Sequence, residues 1–147
     1  MNEELEQQLL TLSGAMSVEK RSDGLWMTAP DLDVAAAARL MLQHGARLST
    51  MTAVALDGGE SEVIYHYAKG NWSCQLRVKT QNNSLTSITP ITPAADWIER
   101  EINDLYAVTF SGHPNPKRLV RPAQLQPGYF REPGGSAGKK LRESERR

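Results

Sequence analysis

A chain of 147 residues that sets 17 basic against 17 acidic side chains and is 39% hydrophobic has the makings of one domain with a modest core. Zero formal net charge excludes the surplus of Lys and Arg that general nucleic-acid binding draws on. No apolar run approaches the roughly 20 residues needed to cross a bilayer as a helix. Cys74 is the single cysteine, so an internal disulfide is ruled out. The chain alone holds no iron–sulfur cluster, which normally takes four thiolates. The acidic start Met1-Asn2-Glu3-Glu4 lacks the charged-then-apolar order of a signal peptide, and the expectation is a soluble, cytoplasmic chain.

Leu5, Leu9 and Leu12 recur at helical spacing up to Gly14, which predicts a short amphipathic helix ending there. Gly24 to Ala29 reads as a first strand, closed by Pro30. Asp31 or Asp33 caps a second helix that runs through Ala35–Ala38 to Gln43. Leu32, Ala36, Leu40 and Gln43 lie on its successive turns, and Gly45 takes the C-terminal stop position. Three strands follow. Arg47 to Leu56 ends at Asp57-Gly58-Gly59, whose glycines supply the positive φ of a tight hairpin. Ser61 to Ala68 alternates Val63, Tyr65 and Tyr67 with Ile64 and His66. After the turn Lys69-Gly70-Asn71, Trp72, Cys74, Leu76 and Val78 alternate with Ser73, Gln75, Arg77 and Lys79, which predicts one buried and one wet face.

A looser stretch from Thr80 leads to Thr92-Pro93, where the Thr hydroxyl can cap a helix and Pro fits its first turn. In that helix Ile98, Ile102 and Leu105 form the inward stripe, with Trp97 beside it. Asp96–Arg100 and Arg100–Asp104 are i,i+4 pairs worth a few tenths of a kcal/mol each, roughly. Beyond Pro114, prolines at 116, 122, 127 and 133 and the pair Gly134-Gly135 break regular structure. Residues 131–147 carry six basic and three acidic side chains. The expectation is a basic tail over 121–147, extended along a partner or disordered. This order predicts an α+β fold, a mainly antiparallel sheet with helices on one face. It divides into a helix and linker (1–23), the domain (24–120) and the tail (121–147).

Glu99 and Glu101 suggest a carboxylate pair, yet two residues apart on a helix they point about 200° from each other and cannot share a substrate. Glu101 and Asp104 are expected on one side, next to Trp97, with salt bridges favoured over catalysis. Arg100 is expected to pair with Asp96 or Asp104, or to reach another subunit. His113, between Gly112 and Pro114, reads as a turn or interface histidine, because His44 and His66 lie in other elements without ligand spacing. His66 reads as a strand residue with a local hydrogen bond, and Cys74 as a buried thiol. No serine or cysteine has an oriented base, and no glycine-rich phosphate loop runs from a strand into a helix. Tyr65, Tyr67 and Trp72 invite comparison with an RNA-stacking sheet. The basic-flanked aromatic motif of that module is missing, and acidic residues outnumber basic ones outside 131–147. No catalytic, cofactor-binding or metal-ligating set emerges.

One stretch says more. Trp97-Ile98-Glu99-Arg100-Glu101-Ile102-Asn103-Asp104-Leu105-Tyr106 is followed by Val108-Thr109-Phe110-Ser111-Gly112-His113-Pro114 and the basic pair Lys117-Arg118. It resembles the signature of the thirty-kilodalton subunit of complex I, the proton-pumping NADH:quinone oxidoreductase. The related module of membrane-bound nickel–iron hydrogenases shares it. The resemblance spans roughly 25 to 120, Tyr65-His66-Tyr67 included. Ala107 stands where that family usually has Gly, and a Cβ makes positive φ costly. Pro116 and Lys117 replace a usual leucine and arginine. Arg121-Pro122-Ala123-Gln124-Leu125-Gln126-Pro127 replaces a Trp-containing segment with a second Gly-His-Pro, so this end looks more like the small counterpart in hydrogenlyase-type complexes.

The resemblance implies a cofactor-free clamp in the peripheral arm. It would pack on the hydrogenase-related large subunit, near the small iron–sulfur subunit, on the cytoplasmic face of the membrane. Iron–sulfur clusters, and in hydrogenases the nickel–iron centre, would sit in those partners. Glu99, Arg100, Glu101, Asp104, Tyr106, Phe110, His113 and Arg118 are the implied interface residues. The leading expectation is a non-catalytic subunit of an ion-pumping complex of hydrogenase or hydrogenlyase type. The thirty-kilodalton subunit of an NADH:quinone oxidoreductase is the alternative. A free-standing enzyme using Glu101, Asp104 and His113 as acid–base groups is the alternative from another class.

Overall fold

Apolar alternation along the middle of the chain builds one sheet, and the computed structural model, which describes residues 3–14 and 17–131, shows five strands in it. They are β1 (Ser17–Arg21), β2 (Gly24–Thr28), β3 (Arg47–Ala55), β4 (Ser61–Lys69) and β5 (Trp72–Lys79). Their spatial order is β1-β2-β5-β4-β3, with β2–β5 the one parallel pair. A parallel pair needs a long crossover, and here helix α2 (Val34–Gln43) with the β3–β4 hairpin supplies it. Helix α1 (Glu3–Ser13) precedes the sheet and α3 (Asp96–Tyr106) follows it. Short strands β6 (Ser84–Thr86) and β7 (Thr109–Ser111), on either side of α3, pair in parallel as a second small sheet.

The core lies on one face of the large sheet. Leu25, Met27, Val63, Tyr65, Tyr67, Cys74, Leu76 and Val78 meet residues of all three helices there. Tyr65 and Tyr67 are 1% and 2% exposed, so neither ring can stack on a base. The α+β reading with helices on one face matches this architecture.

Four local readings are corrected. Residues 17–21, expected within a linker, form β1; all five are exposed, so no alternation marks them. Pairing with β2 holds them instead, across a two-residue turn that ends at Gly24. A Cβ at Gly24 would collide with Ser73 of β5, so the hairpin needs glycine there. In α2, Asp33 does cap, accepting from the Ala36 amide at 3.0 Å, and Gly45 ends the helix at φ 73°. Its buried stripe, however, is Val34, Ala37, Ala38 and Met41 rather than Ala36, Leu40 and Gln43. Turning the small alanines inward lets the helix approach the sheet. Leu12 of α1 likewise remains outside while Leu5 and Leu9 are buried. On the far face of the sheet Gln75, expected to be wet, is buried, and Ile64 of β4 is buried on that face too. There Trp26, Gln75 and His66 form one row, and the guanidinium groups of Arg21 and Arg77 lie 4.6 and 5.3 Å from the Trp26 ring centre. His66 makes the expected local bond, to Thr52 Oγ1 at 2.9 Å.

The start of α3 also differs. The Thr92 hydroxyl makes no capping bond; its carbonyl accepts from Ala95 in a 3-10 turn over Pro93–Ala95, from which α3 continues at Asp96. At the other end Ala107 takes the left-handed conformation, φ 56° and ψ 26°, and its amide bonds Asn103 O at 2.9 Å. An L-residue there costs roughly 1–2 kcal/mol, partly offset by the greater unfolded freedom of the glycine that would relieve it. Ala107→Gly is therefore expected to stabilise the chain by about 0.5–1 kcal/mol, read as a higher urea midpoint. A lower midpoint would mean that the Ala107 methyl, which sits against Gly128, contributes more by packing than it costs in strain.

Candidate functional site

The signature residues sit on α3 and its two flanks, and the flanks meet because β6 and β7 pair, Leu85 opposite Phe110. Hydrophobic periodicity leads one to expect an apolar inner stripe on α3. Its wholly buried side chains instead include two carboxylates, Glu99 and Asp104, both 0% exposed, beside Ile102. Buried charge is costly unless saturated with hydrogen bonds, and both are saturated.

Glu99 turns toward the segment before the helix. It accepts from Ser87 Oγ at 2.6 Å, the Ile88 amide at 2.7 Å and Thr89 Oγ1 at 2.9 Å. Burial pushes its carboxyl above the ordinary value, while these donors and the nearby His113 pull it back. Asp104 turns toward the segment after β7. Its Oδ2 accepts from the amides of Leu119 and Val120, each at 2.7 Å, and of Arg121 at 3.3 Å; its Oδ1 takes Arg121 Nε at 3.1 Å. Burial works to raise this carboxyl, but the three amides and the Arg121 charge hold it below the ordinary value. One helix thus ties down the chain on both sides of itself.

The remaining signature residues extend the same fastening. Arg100 donates to the carbonyls of Lys117 at 2.8 Å and Arg118 at 3.3 Å, and stands 3.9 Å from Asp96. The Arg100–Asp104 pair expected from spacing does not form, because Arg121 and the backbone of 119–121 occupy Asp104. His113, its side chain 2% exposed, accepts from the Asn115 amide at Nδ1 (2.9 Å). Its Nε2 lies 3.2 Å from Asp96 O and 3.7 Å from Glu99. Phe110 is buried in β7, and the Tyr106 ring meets Phe130 edge-on at 6.1 Å. Past Arg121 the described chain has neither helix nor strand, but the Gly128 and Phe130 amides bond the carbonyls of Asp104 and Leu105 at 2.9 and 2.7 Å. Residues 119–131 therefore form a strap across the end of α3. The rest of the expected tail, 132–147, lies outside the described residues.

Glu101 and Asp104 differ in exposure: the strap covers Asp104 and leaves Glu101 exposed, with Trp97, 68% exposed, one turn before it. Between Glu99, Arg100, Phe110 and His113 lies a cavity of about 60 Å³. That holds a few water molecules and is far below the roughly 300 Å³ at which small-molecule sites begin. Cys74 is buried and its thiol pushed up to about 12 by burial, then by Glu6; it suits neither a cluster nor a nucleophile. Among the described residues, no group of three or more His, Cys, Asp or Glu side chains could hold a metal ion. Sequence reasoning missed the partners Ser87, Thr89 and Arg121. It also missed Asn83, which stands at φ 54° and donates to Ala107 O at 2.5 Å. The Asn82-Asn83 pair was the available signal, since asparagine tolerates the left-handed region.

The fold is thus a mixed sheet carrying three helices on one face, with a strand–helix–strand appendage stitched by buried acids. A solved chain described as Nqo5, trypsin-resistant fragment 1–134, has this fold: TM-score 0.60 at 20% identity, covering 76% of this chain and 98% of that one. A chain of the membrane-bound sulfane sulfur reductase, an archaeal respiratory membrane complex, has it too, with TM-score 0.66 at 20% identity over 97% and 91% of the two chains. The profile of the respiratory-chain NADH dehydrogenase 30 Kd subunit family matches residues 27–132, and the chain belongs to that family. The C subunit of NADH-quinone oxidoreductase from Methylorubrum populi is 44% identical over 62 residues, 40% of this chain and 28% of the relative. Its counterpart from Mesorhizobium japonicum is 45% identical over 62 residues, 40% and 31% of the two. The match thus spans less than a third of the length of these curated relatives. Among the described residues no helix is long and apolar enough to cross a membrane.

Proposed function

We propose that this chain is a non-catalytic peripheral-arm subunit of a membrane-associated, ion-pumping oxidoreductase complex of the hydrogenase or hydrogenlyase type. It packs on the large hydrogenase-related subunit, near the small iron–sulfur subunit, at the cytoplasmic face, and the redox centres belong to those partners. The observation that carries this reading is the saturation of Glu99 and Asp104 by bonds within the chain, which leaves neither carboxylate free to act as a base. The free-standing enzyme needs Glu101, Asp104 and His113 to converge. His113 is bound near the start of α3 and Asp104 toward its end, about 12 Å apart along the axis at 1.5 Å per residue from Asp96, and Glu101 faces outward. Interface roles for Glu99 and Asp104 are then indirect: Asp104 holds the backbone at 119–121, next to Arg118, and Glu99 holds the 87–89 segment on the other side of the helix.

The segment Arg121–Pro127 favours the hydrogenase type, while the names of the curated relatives favour an NADH:quinone oxidoreductase as the second reading. Affinity purification from the native membrane fraction, with mass spectrometry of the proteins that co-elute, separates them. The expected result is a large subunit with four nickel-ligating cysteines. A large subunit without them, together with NADH- or quinone-reacting partners, selects the second reading, and recovery of the chain alone overturns both.

A further inference from the structure

Three large apolar side chains stand exposed on α3 and on the chain that it fastens. Val120 is 53% exposed although the amides on either side of it and its own are pinned to Asp104, so its direction is fixed by buried bonds rather than left to chance. Phe130, 52% exposed, is fixed similarly through its amide on Leu105 O. Trp97 stands 68% exposed on α3, one turn before Arg100, which grips the backbone of Lys117 and Arg118 just ahead of the strap. Large apolar side chains held rigidly in the open are the composition of a docking centre, and rigidity lowers the entropy lost on association.

The charges around this centre are specific. No acidic residue occurs between Leu105 and Arg131. Arg121 is spent on Asp104, and among the described residues no carboxylate pairs with Lys117 or Arg118, both exposed. On the α3 side the sign reverses, since Glu101 sits exposed at i+4 from Trp97. A uniformly anionic bilayer would suit the basic pair but be repelled by Glu101, whereas a protein can meet both signs at once.

We propose that the outer face of α3, the Lys117-Arg118 pair and the strap that follows it are the docking surface for a protein partner. The partner's opposing face is apolar at its centre, with carboxylates opposite Lys117 and Arg118 and a basic group opposite Glu101. The proposal rests on the reading of the chain as a subunit, and the test separates the two. The full chain is expressed in its native host with the photo-crosslinking amino acid p-benzoylphenylalanine in place of Trp97 or Val120. Controls carry it in place of Leu42 or Val54, exposed elsewhere at 58% and 43%. A second variant, Lys117→Glu with Arg118→Glu, is compared with wild type for recovery of the assembly, after thermal melting establishes that it is folded.

Positions 97 and 120 are expected to cross-link to one and the same co-eluting protein, with the controls silent, and the charge reversal to lower recovery of the assembly at least tenfold. If the wild-type chain brings down its assembly but cross-links arise only at the controls, or recovery of the reversed variant is undiminished, the docking surface is overturned and the subunit reading stands. Cross-links from 97 and 120 to lipid overturn it in favour of a membrane surface. A wild-type chain that co-elutes with nothing overturns the subunit reading itself.

Discussion

Replacing Glu99 with alanine is expected to destabilise the chain by about 3–5 kcal/mol, because it removes the acceptor of three buried donors and a hydrogen bond to a charged group contributes about 1.5–3 kcal/mol. The carboxylate is 0% exposed, and its loss strands the Ile88 amide together with the Ser87 and Thr89 hydroxyls, on residues 0%, 4% and 6% exposed. The hydroxyls can rotate toward other acceptors, but the amide cannot, and a buried unpaired donor costs about 1–3 kcal/mol by itself. Against a total stability of roughly 5–15 kcal/mol for a domain this is a large share. Glu99→Gln keeps an oxygen for the Ile88 amide and should cost less than about half as much. Urea unfolding followed by tryptophan fluorescence reads both. A loss below about 1 kcal/mol for Glu99→Ala would mean that the 87–89 segment is held by β6–β7 pairing alone and that Glu99 is no fastener.

Parts of the fold were legible in the chain and others were not. β4 and β5 were, because Val63, Tyr65, Tyr67 and Cys74, Leu76, Val78 alternate over a full strand length. The α2 ends were, because Asp33 and Gly45 act through local bonds that span three or four residues. β1 was not, because its five exposed side chains carry no period; a neighbour's backbone makes it a strand. The site divides along the same line. The resemblance picked out the residues that matter on α3, and it pointed to position 107, where the positive φ is found. Their use stayed hidden, because Glu99 and Asp104 read as surface acids to any periodicity argument. Asp104 in particular is satisfied mainly by backbone amides of 119–121, and a backbone donor has no letter in the sequence. The same blindness explains the misplaced Arg100, whose principal acceptors are carbonyls.

Asp104→Ala is expected to act differently from Glu99→Ala: it frees the strap without unfolding the sheet. The Arg121 side chain is 22% exposed and can turn to water, and the amides of 119–121 can be rehydrated once the strap lifts. Loss of the charged acceptor should cost about 2–3 kcal/mol locally. At 1.4 kcal/mol per decade that speeds hydrogen exchange at Leu119, Val120 and Arg121 roughly thirty- to a hundredfold, with β4 and β5 amides unchanged. Faster exchange throughout the sheet would show instead that the strap is part of the cooperative core.

The same pair of acids should give opposing pH limbs, Asp104 in the closure of the strap (read by exchange at 119–121) and Glu99 in the stability of the whole chain. Asp104 has a folded value below the unfolded 3.8. Its contribution is complete above that value and disappears as pH falls through the lower folded one. Glu99 is raised above 4.5, so the folded state holds its proton longer than the unfolded state, and stability declines as pH climbs from 4.5 to the folded value. Asp104→Asn should flatten the first limb and Glu99→Gln the second, each leaving the other in place. If both variants retain both limbs, the protons that set the acid stability of this protein belong to other carboxyls, with Glu60, also held below its ordinary value by Thr80 and Asn83, the first to test.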